Sequence, residues 1–381
     1  MSSIANIEWF LVPPRWLFVR VETDDGITGW GEASLEGHAE AVAGALDAAR
    51  DRLIGHDADR IEDAWQTCYR LGFYRGGPVF MSAISGIDQA LWDIKGKRLG
   101  VPVWQLLGGK LRDRVDVYAW IGGDRPGDVA DASAARREQG FRAVKMNATE
   151  AIGWLDSPDS LKEPVERLRL VRETGIDAGL DFHGRVHKPM ARQLIHALEP
   201  YGPLFVEEPL TSEHPEAIAQ LAAQTHVPLA FGERLYTRWD FKRLFELGAV
   251  DIIQPDLSHA GGISEVRRIA AMAETYDVAV APHCPLGPLA LAACMQIAVS
   301  TPNFIIQEMS LGIHYNTIDA DLGTYLADPG VFAVEGGSVA ALTGPGLGVE
   351  IDEEKVRRVA RDPHRWRNPV WRGADGSLRE W

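Results

Sequence analysis

The chain has 381 residues, of which 46% are hydrophobic, and a formal net charge of −15. This length exceeds what one hydrophobic core usually serves, so we expect a large domain with a smaller partner. The acidic balance and the lack of a basic stripe exclude a nucleic-acid partner, because phosphate binding needs clustered lysine and arginine.

The sequence also indicates the cellular compartment and argues against a membrane span. Cys68, Cys284 and Cys294 show no CxxC spacing and cannot all pair, which suits a reducing cytoplasm. No basic region precedes an apolar one at the N-terminus, and no apolar run approaches roughly 18 residues. We therefore expect a cytoplasmic protein without a signal peptide or a membrane partner.

The first region predicts strands followed by helices. Residues 6–33 have the composition of antiparallel strands, with Asp25-Gly26 suited to a tight hairpin turn. From Ser82 to Leu99 apolar residues recur three or four positions apart. This spacing predicts a helix with one buried face and Ser82 as its N-cap.

Strands and helices alternate strictly in the middle of the chain. Short apolar runs recur at intervals of roughly 25 residues, which is the length of one strand, one helix and two connections. The runs predict eight parallel strands, near 115–121, 141–147, 179–183, 204–208, 229–233, 251–256, 278–283 and 304–308. Such a series indicates a TIM-type barrel, whose reactive groups lie at the C-terminal ends of the strands.

These patterns divide the chain into three parts. We assign 1–112 to a small α+β domain and 113–320 to the barrel. The segment 321–381 returns to turns and short strands, and its run Trp366-Arg367-Asn368-Pro369-Val370-Trp371 is too aromatic for a free tail. We expect this segment to return to the first domain and complete it.

Three consecutive predicted strands end in a carboxylate: Asp181, Glu207 and Glu233. A single carboxylate more often caps a helix or pairs with a lysine, but three at matched positions favour a metal site. Oxygen ligands on separate rigid strands suit Mg²⁺, whereas zinc prefers histidine or cysteine. Glu208 competes with Glu207, because alternation along a strand lets only one of them face the barrel axis.

Two histidines also lie at strand ends. His183 would share a strand face with Asp181, and His283 ends the seventh strand next to Asp256 of the sixth. A carboxylate beside an imidazole fixes its tautomer and raises its basicity, so Asp256 and His283 are a candidate general base. Substrate contact or loop packing is the expected role of three further histidines: His187, His259 and His314.

Polar residues on two other strands complete the candidate site. Lys145 and Asn147 share one face of the second strand. Lys145 could neutralise an oxyanion beside the metal or be a surface lysine, and Asn147 can donate a hydrogen bond but is a poor proton acceptor. Glu308 ends the eighth strand and could bind a substrate oxygen or pair with an arginine at the rim.

Taken together, the motifs resemble those of a known family. They are Lys-x-Asn, Asp-Phe-His-Gly-Arg-Val, Glu-Glu-Pro, Gly-Glu-Arg, Gln-Pro-Asp-Leu-Ser-His-Ala-Gly-Gly-Ile, Ala-Pro-His-Cys-Pro-Leu-Gly-Pro and Gln-Glu-Met-Ser-Leu-Gly-Ile-His-Tyr-Asn. In this order they resemble the D-galactonate dehydratases of the mandelate racemase subgroup of the enolase superfamily. The resemblance runs from Pro13-Pro14-Arg15-Trp16 through 72–78 to Glu380-Trp381.

The resemblance implies a fold and a set of roles. The fold is a modified TIM barrel of the (β/α)7β type, with a capping domain over its mouth, in a homo-oligomer. The implied catalytic residues are His283 as base, Asp256 as its orienting partner, His183 as acid, and Glu308 at the substrate carboxylate. The implied ligands of one Mg²⁺ per subunit are Asp181, Glu207 and Glu233. The implied contacts with the sugar chain are Arg15, Trp16, Tyr74 and Arg75.

The reaction implied is loss of water from a sugar acid, with D-galactonate as the favoured substrate. His283 would remove the proton at carbon 2 and His183 would protonate the departing 3-hydroxyl. Another aldonic acid remains an alternative substrate. An epimerase or racemase is a weaker alternative, since Asn147 stands where a second base would be lysine. A non-catalytic binding protein would be expected to have lost a ligand or a histidine.

Overall fold

An antiparallel sheet opens the chain in this structure, a computed structural model. The residues described are 2–70, 72–123, 127–150, 152–316 and 320–381. The strands of this sheet are β1 (Ile4–Val12), β2 (Trp16–Thr23) and β3 (Thr28–Glu32), in that order. As predicted, Asp25 and Gly26 form the turn between β2 and β3, and Gly26 adopts a φ of 84° that favours glycine.

Four helices follow this sheet in the chain. They are α1 (Ala39–Leu53), α2 (Ile61–Arg70), α3 (Pro78–Leu99) and the short α4 (Val103–Leu106). The predicted start of α3 at Ser82 is wrong, because the helix begins after Gly77 with Pro78 at its first position. Proline suits that position since it needs no hydrogen-bond donor there. Ser82 lies buried inside the helix instead.

Two glycines bring α3 and β3 into backbone contact. A Cβ added at Gly31 would lie 2.1 Å from the Gly86 carbonyl oxygen, and one at Gly29 would lie 2.1 Å from that of Ala90. Residues two apart in a strand share one face, so both glycines face the helix. The sheet and α3 therefore form one unit, here called the cap, with its own hydrophobic core.

Eight parallel strands follow the cap. They are β4 (Arg114–Trp120), β5 (Ala143–Asn147), β6 (Asp177–Asp181), β7 (Val206–Glu207), β8 (Leu229–Phe231), β9 (Ile252–Ile253), β10 (Ala279–Val280) and β11 (Gln307–Met309). Neighbours in this order pair, and β11 pairs with β4. A parallel bridge between Val280 and Phe304 joins β10 to the segment that leads into β11. The sheet is thus curled into a barrel.

Seven helices connect these strands in the described part of the chain. They are α5 (Val129–Glu138), α6 (Lys162–Glu173), α7 (Lys188–Leu198), α8 (Pro215–Ala222), α9 (Arg238–Glu246), α10 (Gly262–Glu274) and α11 (Pro288–Ser300). Short 3₁₀ turns occur at Pro158–Leu161 and Glu199–Tyr201. Eight strands with seven helices confirm the predicted (β/α)7β barrel. Among the described residues, no helix is long and apolar enough to cross a bilayer.

The closing segment contacts both parts of the molecule. β12 (Ser338–Ala340) pairs antiparallel with β4 of the barrel. α12 (Glu353–Val359) lies against the cap, where Arg357 pairs with Glu8 of β1 at 2.8 Å. Farther on, Arg367 pairs with Glu40 at 2.7 Å. The segment therefore fastens the cap to the barrel from outside.

The barrel interior changes from apolar to polar along the strands. Its apolar layer consists of Tyr118, Ala143, Phe205, Ala230, Ile252 and Ala281. Two residues farther along three of these strands come Lys145, Glu207 and Gln254, all buried. Since side chains alternate along a strand, these polar groups face the same interior. The polar layer lies at the C-terminal end, where it forms the floor of a cavity.

Candidate active site

A cavity of about 340 Å³ lies between the C-terminal ends of the strands and the cap. Barrel residues that line it include Trp120, Asn147, His183, Glu233 and His283. The cap contributes Arg15 and Glu36, and the closing segment contributes Asn368, Glu380 and Trp381. Three separate parts of the sequence therefore enclose this space.

His283 is held between two carboxylates. Its Nδ1 lies 2.9 Å from Asp256 Oδ2, and its Nε2 lies 3.1 Å from Glu233 Oε2. Burial opposes the charged form, but Glu233, Glu308 and Asp256 outweigh it and raise the pKa of His283 well above its usual value. Asp256 is fixed in turn by the backbone N–H of Ser258, which donates to Oδ1 at 2.6 Å. The expected neighbours on the sixth and seventh strands thus meet.

Lys145 forms a buried ion-pair network with two carboxylates. Its Nζ lies 2.6 Å from Glu207 Oε1 and 2.9 Å from Glu308 Oε1, and all three side chains are inaccessible to solvent. Burial alone would lower the pKa of Lys145, but Glu207 and Glu308 raise it well above its usual value. Lys145 is therefore a fixed positive charge and not a surface lysine. Glu308 pairs with it and not with an arginine at the rim.

Glu308 is fixed by further donors. The indole N–H of Trp120 donates to Oε1, and the backbone N–H of Cys284 donates to Oε2 at 2.8 Å. Cys284 follows His283 directly in the chain. The carboxylate on the eighth strand is therefore tied to the segment that carries the imidazole.

His183 reaches Asp181 through a turn. β6 ends at Asp181, and His183 has a φ of 54°, so the strand predicted over 179–183 ends two residues too late. The side chains meet because the turn closes on the carboxylate. The backbone N–H of His183 donates to Oδ1 at 2.6 Å, and Nδ1 lies 2.8 Å from Oδ2. Arg234 donates to the carbonyl of His183 at 2.6 Å and holds the turn.

The structure brings together only two of the three expected metal ligands. Ligand atoms of Asp181, His183 and Glu233 lie within 4.8 Å of one another. Both oxygens of Glu207 are bonded instead by Lys145, at 2.6 and 2.9 Å, and Gln254 also donates to Oε2 at 2.5 Å. Glu207 nevertheless pairs with Asp181 in strand register, so the two carboxylates are neighbours at the barrel rim.

Glu208, the competing residue, has a different environment. It has a φ of 41° and accepts hydrogen bonds from Ser212 Oγ and the backbone N–H of Gly232. Burial raises the pKa of Glu208 to about 8, although Arg234 opposes this shift. Since Glu207 contacts Lys145 in the barrel interior, Glu207 is the residue that faces the axis.

Only one of the four expected cap contacts lines the cavity. Arg15 does so, and it is buried beneath Tyr315, whose ring centroid lies 3.9 Å from the guanidinium carbon. Trp16 is fully buried against Phe18 and Tyr325. Tyr74 is 81% exposed, and the exposed Arg75 lies over the Tyr69 ring. Trp16, Tyr74 and Arg75 do not line this cavity, and their contact with the substrate stays a prediction. The loop before α3 points outward, and Trp16 is part of the core.

Comparison with known proteins matches this architecture over most of the chain. The mandelate racemase/muconate lactonizing enzyme N-terminal domain matches residues 13–108, and the enolase C-terminal domain-like family matches residues 128–355. This chain belongs to the enolase superfamily. A curated D-galactonate dehydratase from Variovorax paradoxus (strain S110) is 54% identical over 382 residues, which cover 100% of both chains.

Solved structures of superfamily members have the same fold. An enolase from Agrobacterium radiobacter, with the proposed function of galactarate dehydratase, was crystallised with sodium and L-malate. It is 35% identical, covers 100% of both chains and gives a TM-score of 0.89. A proposed dehydratase from Mesorhizobium loti is 34% identical, covers 94% of this chain and 98% of its own, and gives a TM-score of 0.85.

The donor set of this superfamily member fits a hard cation. Asp181 and Glu233 supply carboxylate oxygens, which such cations prefer. Oε2 of Glu233 is buried and lies 3.1 Å from His283 Nε2. The pKa of Glu233 is lowered: burial opposes this shift, but His283, His183 and Arg234 outweigh it. An ionised carboxylate beside the second carboxylate of Asp181 is what a divalent cation would bind.

Several residues that line the cavity of this chain were not predicted from the sequence. They are Glu36, Trp120, Arg234, Tyr236 and Trp381. Trp120 ends β4, so the strand-end rule could have found it, and Arg234 directly follows Glu233. Glu36 lies in a cap loop without periodicity. Its place in the cavity depends on how the cap docks, which no local pattern reveals.

Proposed function

We propose that the chain dehydrates a sugar acid and that its substrate is D-galactonate. The observation that carries this proposal is a pair of histidines on one cavity, each held by its own carboxylate. His183 lies 2.8 Å from Asp181, and His283 lies 2.9 Å from Asp256. Full-length similarity to a D-galactonate dehydratase supports the choice of substrate.

His283 is the base. Its Nδ1 is occupied by Asp256, so Nε2 is the atom that takes the proton from carbon 2. Asp256 stabilises the imidazolium that forms, as a carboxylate does for a histidine base. Burial opposes the charged form of His283, but Glu233, Glu308 and Asp256 outweigh it and raise its pKa, so the surrounding carboxylates stabilise the imidazolium that forms when the proton is taken.

His183 is the acid. Loss of the carbon-2 proton breaks a C–H bond and leaves its electron pair in an ene-diolate of the substrate carboxylate. In a second step that pair forms the double bond between carbons 2 and 3 as the bond from carbon 3 to its hydroxyl breaks. A proton from His183 converts the departing hydroxyl to water. The resulting enol ketonises to 2-dehydro-3-deoxy-D-galactonate. The partial exposure of His183 on the cavity supports this role.

Lys145, Glu308 and Asn147 orient the substrate carboxylate. The fixed positive charge of Lys145 stabilises negative charge that develops on an adjacent oxygen. Its raised pKa, with burial opposed by Glu207 and Glu308, makes it a poor base. Asn147 lines the same cavity from the same strand face. Because the Asn147 amide is a poor proton acceptor, it does not supply the second base that a two-base racemase needs.

Mg²⁺ would be held by Asp181, Glu207 and Glu233, one ion per subunit. The chemistry that it supplies when bound is Lewis-acid stabilisation of the charge formed as the proton leaves. Glu207 would have to exchange a contact with Lys145 for the ion. Its pairing with Asp181 in strand register supports that exchange, because the register makes the two residues neighbours at the barrel rim.

We also propose a division of the chain at 1–112, 113–320 and 321–381, in a homo-oligomer. The separate hydrophobic cluster of the cap supports the first boundary. Phe73 and Tyr74, both 81% exposed, support a contact with another copy, because clustered exposed aromatic residues are unusual on a free surface.

Two histidine variants test the reaction. His283→Asn should abolish both dehydration and exchange of the carbon-2 hydrogen with deuterated solvent. His183→Asn should lower dehydration about 10²-fold to 10⁴-fold, the usual contribution of one acid or base, but retain exchange. With a substrate analogue that carries fluoride at carbon 3, His183→Asn should recover elimination, because fluoride leaves without a proton. His196→Asn, with a side chain 87% exposed on α7, is the matched control.

Two results would count against the assignment. Fluoride elimination by His283→Asn at the wild-type rate would mean that His283 is not the base. Failure of the purified, Mg²⁺-supplied protein to form a 2-keto product from any aldonic acid would refute the dehydratase function itself.

A further inference from the structure

The cavity has a second cluster of polar residues, which the proposed reaction does not use. Glu36 of the cap lies between Arg15 and His259. Its Oε1 is 3.7 Å from Arg15 Nη2, and its Oε2 is 3.4 Å from His259 Nε2. These side chains are largely buried, with exposures of 14% for Glu36, 2% for Arg15 and 5% for His259. A carboxylate in this setting requires an explanation.

The cluster of Glu36, Arg15 and His259 lies next to the end of the cavity that holds His283. His259 Nδ1 is 3.9 Å from Asp256, and the His259 ring centroid is 6.5 Å from that of His283. Glu36 contacts the opposite nitrogen of His259, so it is one imidazole farther from the base. Carbon 2 of a substrate must lie at His283. Glu36 lines the same cavity from the cap, so we place the far carbons of a six-carbon acid beside it.

Hydrogen-bonding capacity is left open at this end. Among the described residues, no donor makes a hydrogen bond to either Glu36 oxygen, since both contacts are longer than such a bond. Within the described part of the chain, Arg15 Nε and Nη1 and His259 Nδ1 are also buried without a hydrogen bond. Polar groups left unpaired in a buried site select ligands that can pair with them.

We propose that Glu36 determines specificity at the far end of the substrate. This inference rests on the proposed function and names the class of sugar acid. The Glu36 carboxylate accepts hydrogen bonds from terminal hydroxyls and repels a second carboxylate. Arg15 is neutralised by Glu36 and is therefore a poor partner for an additional anion. The site accordingly accepts aldonic acids, which end in a hydroxymethyl group, and rejects aldaric acids, which end in a carboxylate.

D-Galactonate and galactarate are the matched probes, because they differ only at carbon 6. Binding is measured by calorimetry with the Mg²⁺-supplied full chain that carries His283→Asn, so that neither ligand is consumed. The discrimination ratio is Kd for galactarate divided by Kd for galactonate. Adding Glu36→Gln removes the charge but keeps the shape of the side chain. We expect the ratio to fall about 10-fold to 100-fold, the scale of a removed like-charge contact in a partly buried site.

Two further variants separate charge from packing. Glu36→Asp keeps the charge, so it should keep the discrimination within about threefold while weakening galactonate. Asp51→Asn removes one charge from the exposed surface of α1 and should leave both affinities unchanged. An unchanged ratio in Glu36→Gln, or an equal loss of discrimination in Glu36→Asp, would overturn the proposal. Turnover of D-galactonate by the unmodified protein tests the dehydratase function separately.

Discussion

Replacing Lys145 with methionine removes the positive charge from the barrel interior. In the structure Nζ contacts Glu207 at 2.6 and 2.9 Å and Glu308 at 2.9 Å, and none of these side chains is accessible to solvent. Methionine has nearly the same length and fills the same space. The substitution therefore changes the charge and the hydrogen bonds with little change in packing volume.

The expected loss of stability is large. Removing one partner of a buried ion pair costs about 3–5 kcal/mol, because the remaining charge is left uncompensated. Here two carboxylates lose the same partner, so we expect the upper part of that range. Folded domains are stable by only about 5–15 kcal/mol, so the variant should be close to unfolding. Adding Glu308→Gln removes one of the two stranded charges and should restore part of the loss.

Urea unfolding at neutral pH with chelator present measures this effect. Lys110→Met is the control, since Lys110 pairs with Asp113 on the surface, where the side chains are 46% and 83% exposed. Exposed pairs contribute little, so this variant should unfold at the wild-type midpoint. A loss below about 1 kcal/mol for Lys145→Met, or further destabilisation on adding Glu308→Gln, would refute the buried ion-pair reasoning.

Three further outcomes are expected. Burial raises the pKa of Glu32 from 4.5, and that of Asp88 from 3.8, to about 7 in each case. The protonated carboxyl groups therefore stabilise the folded state at low pH, and this stability should be lost as the pH rises from about 4 through 7. For Glu32 this loss is about 3 kcal/mol; Glu32→Gln should flatten the profile of unfolding free energy against pH, and an equally steep profile would contradict the assignment. Chelator should abolish turnover and Mg²⁺ should restore it, whereas full activity of the metal-free protein would rule out the metal site. Gly31→Ala should cost at least about 1–3 kcal/mol, because its Cβ would lie 2.1 Å from the Gly86 carbonyl oxygen, and a wild-type melting temperature would contradict that contact.

The barrel could be predicted from sequence because its strands are buried and evenly spaced. Every predicted strand has an observed counterpart, although most are shorter. The strand predicted over 251–256 has only Ile252 and Ile253 in regular pairing. Apolar runs indicate which residues enter the interior, but pairing ends where the backbone turns. At His183 that turn has a positive φ, which no hydrophobic pattern encodes.

The contacts of the cap could not be predicted in the same way. Arg15 and Trp16 are adjacent in sequence, and both were expected at the substrate, yet one lines the cavity and the other lies in the core. Tyr74 was expected there too and is exposed. These outcomes depend on the docking of two units far apart in sequence. Local periodicity describes each unit, but it contains no information on the angle between them.

The same docking links the cap to the catalytic strand ends. Glu32 of β3 accepts hydrogen bonds from the backbone N–H groups of Gly287 and Ala290, at the start of α11. Asp88 of α3 accepts from the backbone and hydroxyl of Ser264, at the start of α10. These two helices directly follow the strands that lead to Asp256 and His283.

A cap that moved away would expose two buried carboxylates and leave four donors unpaired. Each of these hydrogen bonds contributes about 0.5–1.5 kcal/mol net, which would be lost if water replaced the partner. The cap is therefore held in one position relative to the base and its orienting carboxylate. Glu36 extends from this same cap, four residues after Glu32. Contacts that do not involve the substrate thus set the distance between Glu36 and the reacting carbon. Because this distance is fixed, Glu36 can discriminate between sugar acids of different length and charge.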